Sequence, residues 1–388
     1  MSIKHFDVEF TRDGAVHDHA QVAQLLDGAM QFSDLLVLSH GWNNDMADAR
    51  ELYDKLTASV SQVLASGAMP ELAQRQFGVM RIFWPSKKFA DEDLIPGGGA
   101  ASATQENDDA LVRILEAMKN NPRLLGGHDV NPVRTAVINA VQALIPKLET
   151  DLAAQQEFVL QLRSLLDPSS LHPEDGSEEF FTRSPQEIFE GLDGNVAEPM
   201  VIREGGATSL SDDGGAVGLG DLLSGIKAAA RRIANFTTYC EMKQRAGLVG
   251  SAGVASVLVR LRDRRPQLRL HLAGHSFGGR VVTAAAHALP NGTNAVTLSL
   301  LQAAFSHNGF AAKYDGEHDG AFRQLLSQSR VSGPILITHT KNDRAVGIAY
   351  PLASRLSRDP ASAFGDENDP YGGMGRNGAQ HTIEVEGL

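Results

Sequence analysis

One short segment of this 388-residue chain has the residue types and spacing of a covalent nucleophile. Residues 268–273, Leu-Arg-Leu-His-Leu-Ala, run straight into Gly274-His275-Ser276-Phe277-Gly278-Gly279, and a helical pattern follows over 280–289. A serine at a sharp strand-to-helix turn must hold a strained backbone, so the positions two before and two after it must lack a Cβ. Such a turn presents the hydroxyl at the end of a strand, where a base can take its proton and a carbonyl carbon can meet it. The chain holds 38 glycines, so the G-x-S-x-G spacing alone says little. The apolar strand before it and the Ala-rich helix after it give it weight. The competing reading is a glycine-rich turn with a bystander serine.

With its surroundings included, the chain resembles the α/β-hydrolases, and more narrowly a bacterial serine esterase/lipase-like branch of them. The resemblance rests on residues 35–45, 77–86, 239–250, the 274–279 turn and 334–349. It covers the framework and leaves the middle of the chain unmatched. It implies an α/β-hydrolase fold, a mostly parallel central sheet flanked by helices, acting by nucleophilic attack of Ser276 on an ester.

Residues 35–44, Leu-Leu-Val-Leu-Ser-His-Gly-Trp-Asn-Asn, form an apolar strand ending in His-Gly-Trp. In the hydrolase fold such a loop aims backbone N–H groups at the oxygen that becomes negative in the tetrahedral intermediate. By resemblance the donors are the N–H groups of Trp42 and Phe277. Gly41 lets the loop bend close to substrate, and His40, Gly41, Trp84 and His275 are the expected substrate-contacting residues. Taken alone, the segment also reads as a strand-to-helix turn with a packed tryptophan.

In this fold the triad follows the chain order serine, acid, histidine. The resemblance places the acid at Asp343, in Thr338-His339-Thr340-Lys341-Asn342-Asp343, with His339 in a structural position. Asp343 also reads as a helix N-cap, and Asp315 and Asp319 are the fallback acids. The base is His381, 38 residues beyond Asp343 in a Gly-rich stretch; an ordinary exposed histidine is the rival reading. His307, in the loop after the strand at 296–300, is the alternative base.

The elements that must position these residues follow from periodicity. Short apolar runs at 35–38, 77–83, 268–272, 296–300 and 334–337 read as buried parallel strands, each followed by a helical pattern. An opening strand over Phe6, Val8 and Phe10 meets a hairpin signal at Asp13-Gly14. Between Trp84 and Phe236 no strand is expected. Val133, Val137, Val141, Leu144 and Leu148 recur at helical spacing, as do Leu152, Val159, Leu162 and Leu166, with Pro146 splitting the run. Residues 168–220 are rich in Asp, Glu, Gly, Ser and Pro and read as loop. The expected organisation is a core domain of residues 1–85 and 236–388, interrupted by a helical, acidic cap insertion at 86–235. The 133–166 helices need a surface to bury against and are expected to roof the active site.

Composition narrows the partners. Residues 86–235 carry 13 Lys/Arg against 24 Asp/Glu, nearly all of the net charge of −12. An acidic middle repels phosphate backbones and anionic headgroups, so nucleic acid is not an expected partner. The expected substrate is a small neutral or apolar ester. One cysteine, Cys240, excludes an intrachain disulfide and a multi-thiolate zinc site. His17 and His19 flank Asp18 without further ligands at motif spacing, so no metal and no cofactor are expected. The start MSIKHFDVEF has no apolar signal region, and Pro290, Asn291, Gly292 and Asn294 interrupt the uncharged stretch 281–312. A cytoplasmic protein without stable membrane insertion is the expectation. Two rivals share the residues: an acyltransferase, in which another nucleophile resolves the same acyl-enzyme, and a non-catalytic binding protein on the hydrolase fold. Nothing in the sequence sets an oligomeric state.

Overall fold

The computed structural model describes residues 3–42, 46–86, 103–120, 132–168, 171–192, 225–292, 295–341 and 369–382. The chain opens with β1 (Lys4–Glu9), α1 (His19–Gly28), β2 (Asp34–Ser39), α2 (Met46–Ala65) and β3 (Phe77–Phe83). Helices α3 (Ala103–Asn120), α4 (Pro132–Leu144), α5 (Leu152–Arg163), α6 (Ser177–Thr182), α7 (Pro185–Leu192), α8 (Ile226–Leu248) and α9 (Ala255–Arg264) follow. Then come β4 (Arg269–His275), α10 (Phe277–Ala288), β5 (Thr297–Leu301), α11 (Arg323–Ser327), β6 (Ile335–Thr338) and α12 (Met374–Asn377).

The six strands form one sheet in the order β1-β3-β2-β4-β5-β6, parallel throughout. Helices flank it, which defines an α/β class. The five strands expected from apolar runs all form, within a few residues of their expected limits. Such runs suit strands buried on both faces, and in β2 the side chains of Leu35, Val37 and Leu38 are all buried. The opening strand differs from expectation in its partner. Asp13-Gly14 does make a tight turn, with Thr11 N–H bonded to the Ala15 carbonyl at 2.8 Å and Phe10 bridged to Val16. No second hairpin strand follows. Asp18 instead caps α1, accepting from Ala20 N–H at 2.8 Å, and β1 pairs in parallel with β3.

A buried ionic clamp pins the amino edge of the sheet. Asp34, fully buried at the start of β2, accepts from His271 Nε2 on β4 at 2.9 Å and from Arg75 Nε at 2.8 Å. Burial pushes its carboxyl up, but hydrogen bonds from His271, Arg75 and Ser33, with the Arg75 charge, outweigh that and hold it well below the usual carboxylate range.

The chain divides into two units. One holds the sheet: the described residues between 3 and 86, 243 and 341, and 373 and 382. The other holds the described residues between 103 and 242, with 369–372. In the second unit no strand occurs among the described residues. Pro146 sits in a 3-10 turn, Ile145–Lys147, that separates α4 from α5 as its missing N–H requires. The loop expectation for 168–220 is corrected in part. Residues 177–182 and 185–192 are helices, because Phe180, Ile188, Phe189 and Leu192 bury their side chains. Phe180 meets Phe236 with ring centroids 5.3 Å apart, and Phe189 meets Phe158 at 6.1 Å. Among the described residues no helix is long and apolar enough to cross a membrane.

Candidate active site

In an all-parallel sheet every strand ends at the same edge, so the loops after β2, β3, β4, β5 and β6 converge there. The registers align Ser39 with Gly274 and with Ile82, His275 with Leu301, and Leu301 with Thr338. Ser276 follows β4 at this edge and heads α10. Its backbone stands at φ 55°, ψ −124°, a conformation that costs on the order of 1–3 kcal/mol for a residue with a side chain. Three hydrogen bonds hold it there: Ser276 N–H to the Leu301 carbonyl at 3.1 Å, and Gly279 and Ala304 N–H to the Ser276 carbonyl at 2.9 and 3.0 Å. The glycines beside it are needed for close approach. A Cβ on Gly274 would strike the Gly278 carbonyl, and one on Gly278 would strike the Ser39 carbonyl at the end of β2.

The loop after β2 comes up against this turn. A Cβ on Gly41 would lie 2.8 Å from Ser276 Cβ and 3.1 Å from the His275 carbonyl oxygen. The Trp42 and Phe277 rings meet edge to face, centroids 5.6 Å apart. The two segments expected to carry the oxyanion donors are thus brought together beside Ser276.

His40 and Trp84 lie beneath the loop rather than displayed on it, at 2% and 5% exposure. Their rings stack with centroids 5.6 Å apart. The Trp84 indole N–H donates to the His40 carbonyl at 3.2 Å. Burial pushes the His40 ring down to about 4 and also lowers His275, whose ring Nδ1 would sit 3.2 Å from a Gly41 Cβ. Both rings are therefore neutral at pH 7.

The two candidate bases are placed differently. His307 is 1% exposed, and its ring Nδ1 accepts from the Asn377 amide at 3.2 Å. Its loop follows β5, whose continuation at Ala304 bonds to Ser276 itself. The segment 373–381 lies along that loop: Gly375 and Met374 N–H bond to the Ala303 and Phe305 carbonyls, and Gln380 N–H to the His307 carbonyl at 2.8 Å. His381 is exposed, at φ 51°, with its carbonyl accepting from Ala312 N–H at 3.2 Å. His339 stands past β6 against Gly378, whose φ of 73° and contact with the ring both demand glycine. Asp343 lies outside the described residues. Among the described residues nothing hydrogen-bonds to the Ser276 hydroxyl. Asp315 and Asp319, the fallback acids, are engaged in their own turn, with His318 and with Lys313 N–H. Among the described residues no cluster of His, Cys, Asp and Glu could hold a metal ion.

Sequence reasoning missed Tyr53. This fully buried residue of α2 places its hydroxyl between two strand ends, accepting from His40 N–H at 2.7 Å and donating to the Ile82 carbonyl at 2.5 Å. The only available signal was a polar-tipped aromatic on the apolar face of a helix. Comparison with protein-family models, with curated proteins and with solved structures finds no match for this chain.

Proposed function

We propose that this chain is a serine hydrolase of carboxylic esters on an α/β-hydrolase framework. One observation carries the reading: Ser276, strained at a strand-to-helix turn, with the Gly41 backbone packed against its Cβ. A binding protein has no need to hold a serine in a costly conformation beside a glycine loop; a nucleophile has.

In the proposed mechanism Ser276 Oγ attacks the acyl carbon while His381 takes its proton, and Asp343 orients and stabilises the imidazolium. The carbonyl oxygen, now negative, accepts from the Trp42 and Phe277 N–H groups. As the tetrahedral intermediate collapses, the alcohol leaves with the proton from the imidazolium, and Ser276 carries the acyl group. Water, deprotonated by the same imidazole, attacks the acyl-enzyme; the acid departs and Ser276 regains its proton. No cofactor enters the scheme. His307 is the alternative base, favoured by its burial in the loop that bonds to Ser276. On sequence grounds the acidic insertion is a cap, and the substrates are small neutral or apolar esters rather than polyanions or nucleic acid.

The non-catalytic reading draws on the Ser276 hydroxyl having no hydrogen-bond partner among the described residues. Catalytic hydrogen bonds in unliganded enzymes are often long and tighten only with substrate, so the strained turn outweighs it. The test is hydrolysis of p-nitrophenyl esters of several chain lengths, with Ser276→Ala as control. Activity abolished by that substitution is expected. Equal turnover by wild type and variant, or none by either, contradicts the proposal. Product analysis with added alcohols separates hydrolase from acyltransferase.

A further inference from the structure

We infer that His40, read from the sequence as a substrate contact, is a positioning residue that fixes the Gly41–Trp42 peptide and thereby aims the Trp42 N–H. The inference rests on the proposed hydrolase reading and gives the oxyanion site its internal support. It starts from the ring's hydrogen bonds. Nδ1 lies 2.9 Å from the Gly41 carbonyl oxygen, which can only accept, so Nδ1 carries the proton. Nε2 lies 3.4 Å from the Trp84 backbone N–H, which can only donate, so Nε2 is bare. The two contacts select one neutral tautomer, Nδ1–H. The ring's burial and lowered basicity agree with a neutral imidazole.

The consequence for the loop follows from peptide geometry. A trans peptide is planar, with its C=O and N–H pointing in opposite directions. Holding the Gly41 carbonyl on the buried ring therefore points the Trp42 N–H the opposite way within that plane, away from His40. The same peptide belongs to the glycine that packs against Ser276 Cβ. An N–H there assists an oxyanion only if its direction is fixed before the charge develops, and His40 supplies that constraint.

Three further groups hold the ring itself. The Tyr53 hydroxyl, interposed between His40 N–H and the Ile82 carbonyl, fixes the backbone of His40 where β2 leaves β3. Trp84 stacks on the ring and bonds to the His40 carbonyl. Ser86 Oγ, 3.4 Å from Nδ1, shares its proton. A ring that touched substrate would need an exposed edge; this one is enclosed and touches the peptide behind the donor.

The test uses amide side chains as partial mimics of imidazole. The Asn Nδ2 falls near the position of Nδ1, whereas the Gln amide reaches that of Nε2. His40→Ala and His40→Gln are expected to lower kcat by roughly 100-fold while KM for a p-nitrophenyl ester stays within about twofold, because a transition-state contact is lost. His40→Asn is expected to recover most of that loss. Equal kcat in all three variants and wild type, or a loss confined to KM, overturns the inference. Should the variants fold poorly, the wild-type protein decides it: 15N NMR of the histidine rings is expected to show His40 neutral and protonated on Nδ1 at pH 7. An Nε2–H tautomer overturns the inference whether or not the chain proves to be a hydrolase. Loss of activity in Ser276→Ala without any kcat effect at His40 overturns the inference alone and leaves the proposed function standing.

Discussion

Gly278 lies where α10 crosses the end of β2, its Cα facing the carbonyl oxygens of Ser39 and His40. One added methyl group must push α10 away from the loop that approaches Ser276. Gly278→Ala is therefore expected to cost about 2 kcal/mol of stability and to lower kcat/KM at least 100-fold, as denaturant titration and ester kinetics would show. The histidines divide by burial. His381→Ala, at an exposed position, is expected to leave stability unchanged and reduce turnover by roughly 1,000-fold. His307→Ala, in a fully buried site, is expected to destabilise the fold while the remaining folded protein turns over near the wild-type rate. The reverse kinetic result moves the base to His307. At this scale the sequence made the sharp turn at Ser276 legible, because the steric demand on Gly274 and Gly278 is written in residue type. The roles of His40 and Tyr53 were not legible. They depend on which hydrogen-bond partners close in from β3 and α2, and no spacing records that.

The strands were readable because each is centred on a short apolar run, buried on both faces in β2 and β3 and at alternate residues in β4 and β5. The helices at 177–182 and 185–192 were not, because each contributes too few apolar residues for a period to show against Asp, Glu and Gly. Only their packing on Phe158 and Phe236 reveals why they form. The parallel pairing of β1 with β3 was equally hidden, since a turn signal fixes a local reversal and not the long-range partner. The Asp34 clamp joins β2, β4 and the Arg75 turn, and it carries a pH signature. Its folded-state pKa is lowered, so its contribution is fully present above the unfolded value of about 3.9 and is lost as pH falls through the folded value. Asp34→Ala is expected to cost about 3 kcal/mol at pH 7, since it strands His271 and Arg75. The gap between variant and wild type should narrow as pH falls below about 4, where the Asp34 carboxylate of the unfolded chain is protonated. A gap independent of pH down to 2 contradicts the clamp.

The whole chain carries a net charge of −12, almost all of it between residues 86 and 235. A field of that sign raises the local concentration of neutral substrates relative to anionic ones. A neutral ester is expected to be cleaved with a higher kcat/KM than one of equal length ending in a carboxylate, and added salt should narrow the difference by screening. An unchanged ratio between low and high salt would assign the preference to pocket shape instead. The charge asymmetry was visible in the sequence, whereas the grouping of residues 369–372 with the second unit was not. The kinetic expectations all rest on Ser276 being an activated nucleophile. The most direct measurement is to treat the intact native protein with a fluorophosphonate and locate the adduct by peptide mass spectrometry. Only an activated serine reacts quickly with such a reagent. The expected result is one adduct, on Ser276, formed in step with loss of esterase activity and absent after thermal unfolding. An adduct on another residue, or full inactivation with Ser276 unmodified, would contradict the assignment.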